Sequence, residues 1–260
     1  MNADRKTAIL AGVLYFLGII AGALSVVPVI DVPDYLVQIS ANAGQVTSGA
    51  FFQFLMTAAY VGMAITLYPI LKKHNESLAL GYVGFRLVAA AFIVIGVIIL
   101  FLLLTLSQEF IKAGAPESSH FQTIGELLRT GRDLVNHVGM ILVLSMGGLM
   151  FYYLLYQTKL VPRWLAGWGI VGTAVTIVAS CLFMFRSVDL ITSVYMNFPL
   201  ALQEMVFAVW LIAKGVNPFA VASGAAKTDT NGELVKRCRL FCGDDFGPRP
   251  RVARVVGYIG

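Results

Sequence analysis

Six apolar stretches separated by polar breaks dominate the chain, at approximately residues 8–30, 49–71, 79–105, 134–157, 165–186 and 195–213. Each approaches or exceeds the roughly 20 residues that a helix needs to cross a bilayer. The first follows Asp4, Arg5 and Lys6, as the core of a signal peptide would. It continues past Ala21 and Ala23 to Ile30, too far for such a core, and so reads as a retained span. The pattern predicts an all-α polytopic membrane protein: a bundle of six transmembrane helices with a short outer amphipathic helix.

The breaks carry their own signals. Residues 31–48 read as an outer loop, with Tyr35, Leu36 and Ile39 positioned for the membrane interface. Residues 106–132 read as a longer outer loop that is helical in its second half. There Pro116, Ser119 and Gln122 are spaced as a capping box, and Gly131 stands where a helix would stop. Between them Phe121, Ile124, Leu127 and Leu128 share one face, which predicts an amphipathic helix lying on the membrane surface. With the N-terminus inside, the inner connections hold seven basic residues: Arg5, Lys6, Lys72, Lys73, Lys159, Arg163 and Lys214. The outer ones hold four, Lys112, Arg129, Arg132 and Arg186, over longer loops. This asymmetry predicts that both termini are cytoplasmic.

Composition agrees. Of 260 residues 58% are hydrophobic and 13% charged, and the mean hydropathy is +0.80. Ordinary soluble domains carry about 25% charged residues. A soluble enzyme, a disordered protein and a disulfide-stapled secreted domain are thereby excluded. The net charge of +5 suggests no nucleic acid, because residues 1–213 hold 11 basic and 10 acidic side chains while residues 214–260 hold 8 and 4. The excess belongs to the tail, and anionic lipid is the nearest partner for it. Cys181 lies in an apolar run, and Cys238 with Cys242 forms a lone pair with no nearby histidine, a weak zinc signal.

Charges inside spans are costly and draw attention to themselves. Arg86 lies in the third span and Glu204 in the sixth. Arg86 is ten residues beyond Glu76 and Glu204 ten before Lys214, so each lies about 15 Å from its inner anchor. Matched depth and opposite sign mark them as an intramembrane polar site. Gln203 and Asn197 add polarity on the sixth span, and Asn136 and His137 sit one turn inside the outer end of the fourth. A structural ion pair and a direct role in binding or proton movement both fit Arg86 and Glu204. For His137, a hydrogen-bonding residue at a helix end is the simpler role.

Small residues, with Gly18 and Gly22 as G-x-x-x-G and Gly167, Gly169 and Gly172 opening the fifth span, predict close helix packing. Tyr68, Tyr152, Tyr153, Tyr156, Trp164 and Trp168 predict an interfacial belt. No H-E-x-x-H, G-x-S-x-G or P-loop motif occurs, and no lysine lies in a span interior. Paired axial histidines for haem are also missing. No cofactor is expected, and an enzyme is disfavoured.

The strings LYPILKKHNESLALGYVGFR (67–86), MFYYLLYQTKLVPRWLAGWGIVG (150–172) and ALQEMVFAVWLIAKG (201–215) closely resemble the bacterial membrane proteins grouped as the domain of unknown function 4386 family. NPFAVASGAAKTDTN (217–231) resembles that family's usual ending, so the likeness covers about residues 5–231. The resemblance implies six membrane helices, a bacterial plasma membrane and no known cofactor, and it brings no established activity. It also implies, in many members, a glutamate three residues beyond the arginine that matches Arg86; Ala89 stands there in this chain. Residues 232–260 depart from the family's ending.

The expected organisation is a membrane domain over 1–216 and a cytoplasmic tail over 217–260, with 232–260 atypical. Two functional classes remain. One is small-molecule or ion transport, or ligand binding, through the polar interior around Arg86 and Glu204. The other is a non-catalytic membrane component with a structural, sensing or partner-binding role. The first requires a cavity reaching Glu204; the second requires a dry, tightly paired interior. The lipid bilayer is the one sure partner, and the oligomeric state stays open.

Overall fold

The computed structural model describes residues 3–115 and 120–223. Among these, six helices are long and apolar enough to cross a membrane, and the chain is an all-helical, multi-pass membrane protein. The spans are α1 (Ala3–Leu24), α3 (Ala43–Leu71), α4 (Glu76–Lys112), the continuous helix built from α5 (His120–Asp133), a π-helical stretch (Leu134–Met140) and α6 (Ile141–Thr158), then α7 (Arg163–Met184) and α8 (Leu190–Ala213). A short helix, α2 (Tyr35–Ala41), lies between α1 and α3.

The spans form a closed ring in chain order. Each packs mainly on its neighbours in sequence, and α8 returns to pack on α1. At one end the termini of this ring are tied together. Arg5 Nη2 donates to the carbonyls of Ile212 (3.3 Å) and Ala213 (2.8 Å), and Lys73 Nζ approaches Asp4 at 3.5 Å. The Asn217 N–H donates to the Leu160 carbonyl at 2.9 Å, and Ala220 and Val221 are buried against the bundle. Asn217, Ala220 and Val221 thus pack back on the bundle. This is the terminus-bearing end; the other is distal. The tail from 224 on, with Cys238 and Cys242, lies outside the described residues.

Glycines set the ring's tightest contacts. A Cβ on Gly18 would come within 2.7 Å of the Tyr60 ring, and one on Gly22 within 3.1 Å of Met56 Sδ. The G-x-x-x-G step therefore serves packing of α1 on α3 within the chain. Asn75 caps α4 by accepting from the Leu78 N–H at 3.0 Å, and Asp189 caps α8 by accepting from Thr192 at 3.4 Å.

The distal end differs from the sequence expectation in three ways. First, α4 continues to Lys112; its 37 residues span about 55 Å, well beyond a hydrocarbon core of about 30 Å. Second, Gly131 ends nothing: it keeps helical geometry in open space, and α5 runs through the π-helical stretch into α6. A glycine weakens a helix without requiring it to stop. The surface helix is therefore the distal end of the fourth span. Its inward face is Phe121, Gly125 and Leu128, while Ile124 and Leu127 are exposed. Third, Tyr35, Leu36 and Ile39 are buried in a distal core with Val46, Leu100, Leu103 and Phe110. Tyr35 Oη donates to the Gln122 carbonyl at 3.3 Å, its ring lies 4.6 Å from the Arg129 guanidinium, and Ser107 Oγ donates to the Leu36 carbonyl. The capping residues Pro116 and Ser119 lie outside the described residues.

Candidate functional site

Two hydrophobic cores stack along the ring, with a layer between them that neither fills. Along α4 the terminus-side core takes Ala79 and Tyr82, and the distal core takes Val97, Leu100 and Leu103. Arg86, Ala89, Ala90 and Ile93 fall between and line cavities. Antiparallel α3 repeats the order: Val46 and Ala50 in the distal core, Met56, Thr57, Tyr60 and Val61 at a cavity, then Met63, Ala64 and Leu67 in the terminus-side core.

Arg86 sits at the centre of this layer and is buried. Its guanidinium faces three tyrosine rings from three spans: Tyr60 at 5.3 Å, Tyr82 at 5.5 Å and Tyr15 at 6.0 Å. The rings are the natural neighbours of a planar cation removed from water. Arg86 Nε is buried without a hydrogen-bond partner among the described residues. Beneath it the rings close into a floor. Tyr82 stacks on Phe151 at 4.5 Å, Phe207 meets Phe151 edge-on at 5.6 Å, and Tyr15 meets Phe207 at 5.9 Å. Tyr82 Oη also reaches Met63 Sδ at 3.2 Å.

Two cavities meet at Arg86 and share Ile141 and Leu144 as a partition. One, of about 190 Å³, is apolar, with Met56, Ala89, Ile93 and Met140 in its wall. Ala89, where the family resemblance implies a glutamate, thus belongs to this apolar wall. The other, of about 160 Å³, is the more polar of the two and lies among α6, α7 and α8. Its wall includes Ser145, Tyr152, Thr173, Thr176, Asn197 and Glu204. Arg86 and Glu204 therefore border one cavity and yet make no ion pair, since no nitrogen–oxygen distance between them falls within 4.0 Å. Their charges act on each other, and on Tyr15, through space.

The remaining sequence candidates fall elsewhere. Gln203 is fully buried and fully engaged. It accepts from Tyr152 Oη at 2.8 Å and donates to the Leu165 carbonyl at 3.1 Å, binding α6, α7 and α8 together behind the cavity wall. Tyr152, expected in the interfacial belt, is only 3% exposed because its hydroxyl serves this clamp, whereas Tyr153, Tyr156 and Trp164 are exposed. Asn136 packs its amide against Gly96 of α4, and the His137 ring meets Phe183 of α7 edge-on at 6.1 Å. Both belong to the π-helical stretch near the distal end and touch neither cavity. The sequence reading missed Tyr15, Tyr60, Tyr82, Thr173 and Thr176. Tyr82 carried a usable signal, since it stands four residues before Arg86 on the same helix face.

Comparison with curated proteins and with solved structures finds no match for this chain. The family model for the domain of unknown function (DUF4386) matches residues 10–215, which contain the distal core, most of the terminus-side core, both cavities and every residue around Arg86 and Glu204, so the chain belongs to that family.

Proposed function

We propose that the protein binds a small polar solute in the cavity bordered by Arg86 and Glu204, as a membrane transporter or solute-binding protein. One observation carries this reading: a buried guanidinium and a carboxylate share a cavity without neutralising each other directly. Had the pair served only to lock helices, direct contact would be the better-satisfied arrangement, because a separated buried charge keeps its desolvation penalty. The polar cavity has the room of about five water molecules. A solute with an anionic group for Arg86 and a cationic or donor group for Glu204 fits its chemistry. The basic excess in the connections of the terminus-bearing end supports a cytoplasmic location for that end, in a bacterial plasma membrane.

The test is thermal unfolding of the detergent-purified full chain with short amino carboxylates, simple carboxylates and simple amines as probes. A ligand that binds only the folded state raises the transition temperature. Amino carboxylates should raise it most, and Glu204→Gln and Arg86→Met should each reduce the shift. If no probe series moves the wild-type transition, the reading fails and the structural-component class takes its place.

A further inference from the structure

From the polar cavity towards the distal end, α7 and α8 carry buried polar side chains that have no hydrogen-bond partner among the described residues. Thr176 at the cavity wall, and Ser180 one turn beyond it on α7, have hydroxyls with no hydrogen-bond partner. On antiparallel α8, Asn197 at the same cavity and Ser193 one turn further are likewise unpartnered, at Oδ1 and Oγ. Thr176 is 4% exposed, and Ser180 and Ser193 are 0% exposed. Both pairs follow the i, i+4 spacing that keeps residues on one face. Ser180 and Ser193 each lie within a turn or so of the distal ends of their helices.

Hydroxyls in helices usually return their proton to the carbonyl four residues back, which satisfies them without any neighbour. Thr173 does so to Gly169 at 2.7 Å, Thr57 to Gln53 at 2.7 Å and Thr158 to Leu154 at 2.8 Å. Thr176, Ser180 and Ser193 do not, although each has such a carbonyl or a loop equivalent within reach of its rotamers. At membrane depth an unpartnered polar group is expensive, and buried water is the usual means of satisfying it. Near the distal end of α7, His137 Nδ1 is also buried and without a partner among the described residues, and its ring meets Phe183 edge-on. Phe183 in turn borders a distal cavity of about 310 Å³ with Asp133, Thr130 and Arg186. In the opposite direction the aromatic floor beneath Arg86 closes the bundle.

We propose that α7, α8 and the π-helical stretch enclose a polar access path for water and small hydrophilic solutes, running from the distal surface past Ser180 and Ser193 to Glu204. Thr176, Ser180, Ser193 and Asn197 line it. It rests on the assignment of the Arg86–Glu204 cavity as a binding site, and its direction makes that site open to the distal side.

Cysteine accessibility tests it in the full chain with Cys181, Cys238 and Cys242 replaced by alanine. Single cysteines at Thr176, Ser180, Ser193 and Asn197 are exposed to a membrane-impermeant cationic thiol reagent from each side of sealed vesicles. Val178→Cys and Val194→Cys, on the lipid-facing side of the same helices, serve as controls. The four path positions should react at least about tenfold faster than the controls, and only from the distal side, because a charged reagent enters water and avoids hydrocarbon. Ser180→Leu with Ser193→Leu should slow labelling at Asn197→Cys by a similar factor. Path positions no faster than the controls, or reaction from the terminus-bearing side, would overturn the path. Labelling is independent of solute binding: fast labelling without any thermal shift by solutes would retain the path and refute the binding reading alone.

Discussion

Gln203 and Glu204 are consecutive residues of α8 in opposite surroundings. Gln203 belongs to the sealed terminus-side half, where its amide oxygen and nitrogen are both used and three helices are bound through one side chain. Glu204 borders the layer above, where Thr176 Oγ1, Asn197 Oδ1 and Arg86 Nε are without partners among the described residues. Around Gln203 the polar groups satisfy one another and that part of the bundle can stay dry. The layer above leaves polar groups unpartnered among the described residues, which the proposed solute or water would satisfy. Similar side-chain chemistry thus serves packing in one layer and lines the proposed site in the next, and the difference lies in which groups remain unsatisfied.

The sharpest way to break this contrast is to damage the sealed half. The Tyr152 ring occupies the space that a Cβ on Gly169 would need. Gly169→Leu should therefore displace Tyr152 and cost about 3 kcal/mol, the upper range for overpacking a close contact. Chemical unfolding in detergent micelles measures it; a loss below that of Gln203→Leu would show that the helices yield easily there. Gln203→Leu comes next. It strands the Tyr152 hydroxyl and the Leu165 carbonyl, and should cost about 1–2 kcal/mol by the same measurement.

These effects also show what the sequence made legible. The six spans, the even number of crossings and the shared depth of Arg86 and Glu204 followed from apolar run lengths and the 1.5 Å rise, because lipid allows few alternatives for a charged or polar position. The roles of Gln203 and Tyr152 did not. Residue 203 differs from 204 by one step of 100° around α8, and only the packing of α7 decides which of them meets a cavity. The distal cap was hidden for a different reason. Gly131 and the polar residues near it resemble a loop, yet α5 is held in helix by Phe121, Gly125 and Leu128 against Phe110 and Tyr35. The tyrosines around Arg86 come from three spans, so no local pattern could assemble them.

A smaller effect sharpens the other side of the contrast. Thr176→Val removes a hydroxyl that has no partner among the described residues and keeps the shape of the side chain. Stability should change by no more than about 0.5 kcal/mol, in contrast to Gln203→Leu. The thermal shift produced by amino carboxylates should fall in the same variant. A large stability loss would mean that the hydroxyl is part of the sealed structure.

The most direct measurement is the double-mutant cycle of Arg86→Met and Glu204→Gln, read as unfolding free energy in detergent. Two charges that share a cavity without touching should couple by about 0.5–1.5 kcal/mol. Strict additivity would contradict a shared site. A coupling of about 3 kcal/mol or more, as expected when breaking a direct buried ion pair, would contradict the separation of the two charges on which the proposed function rests.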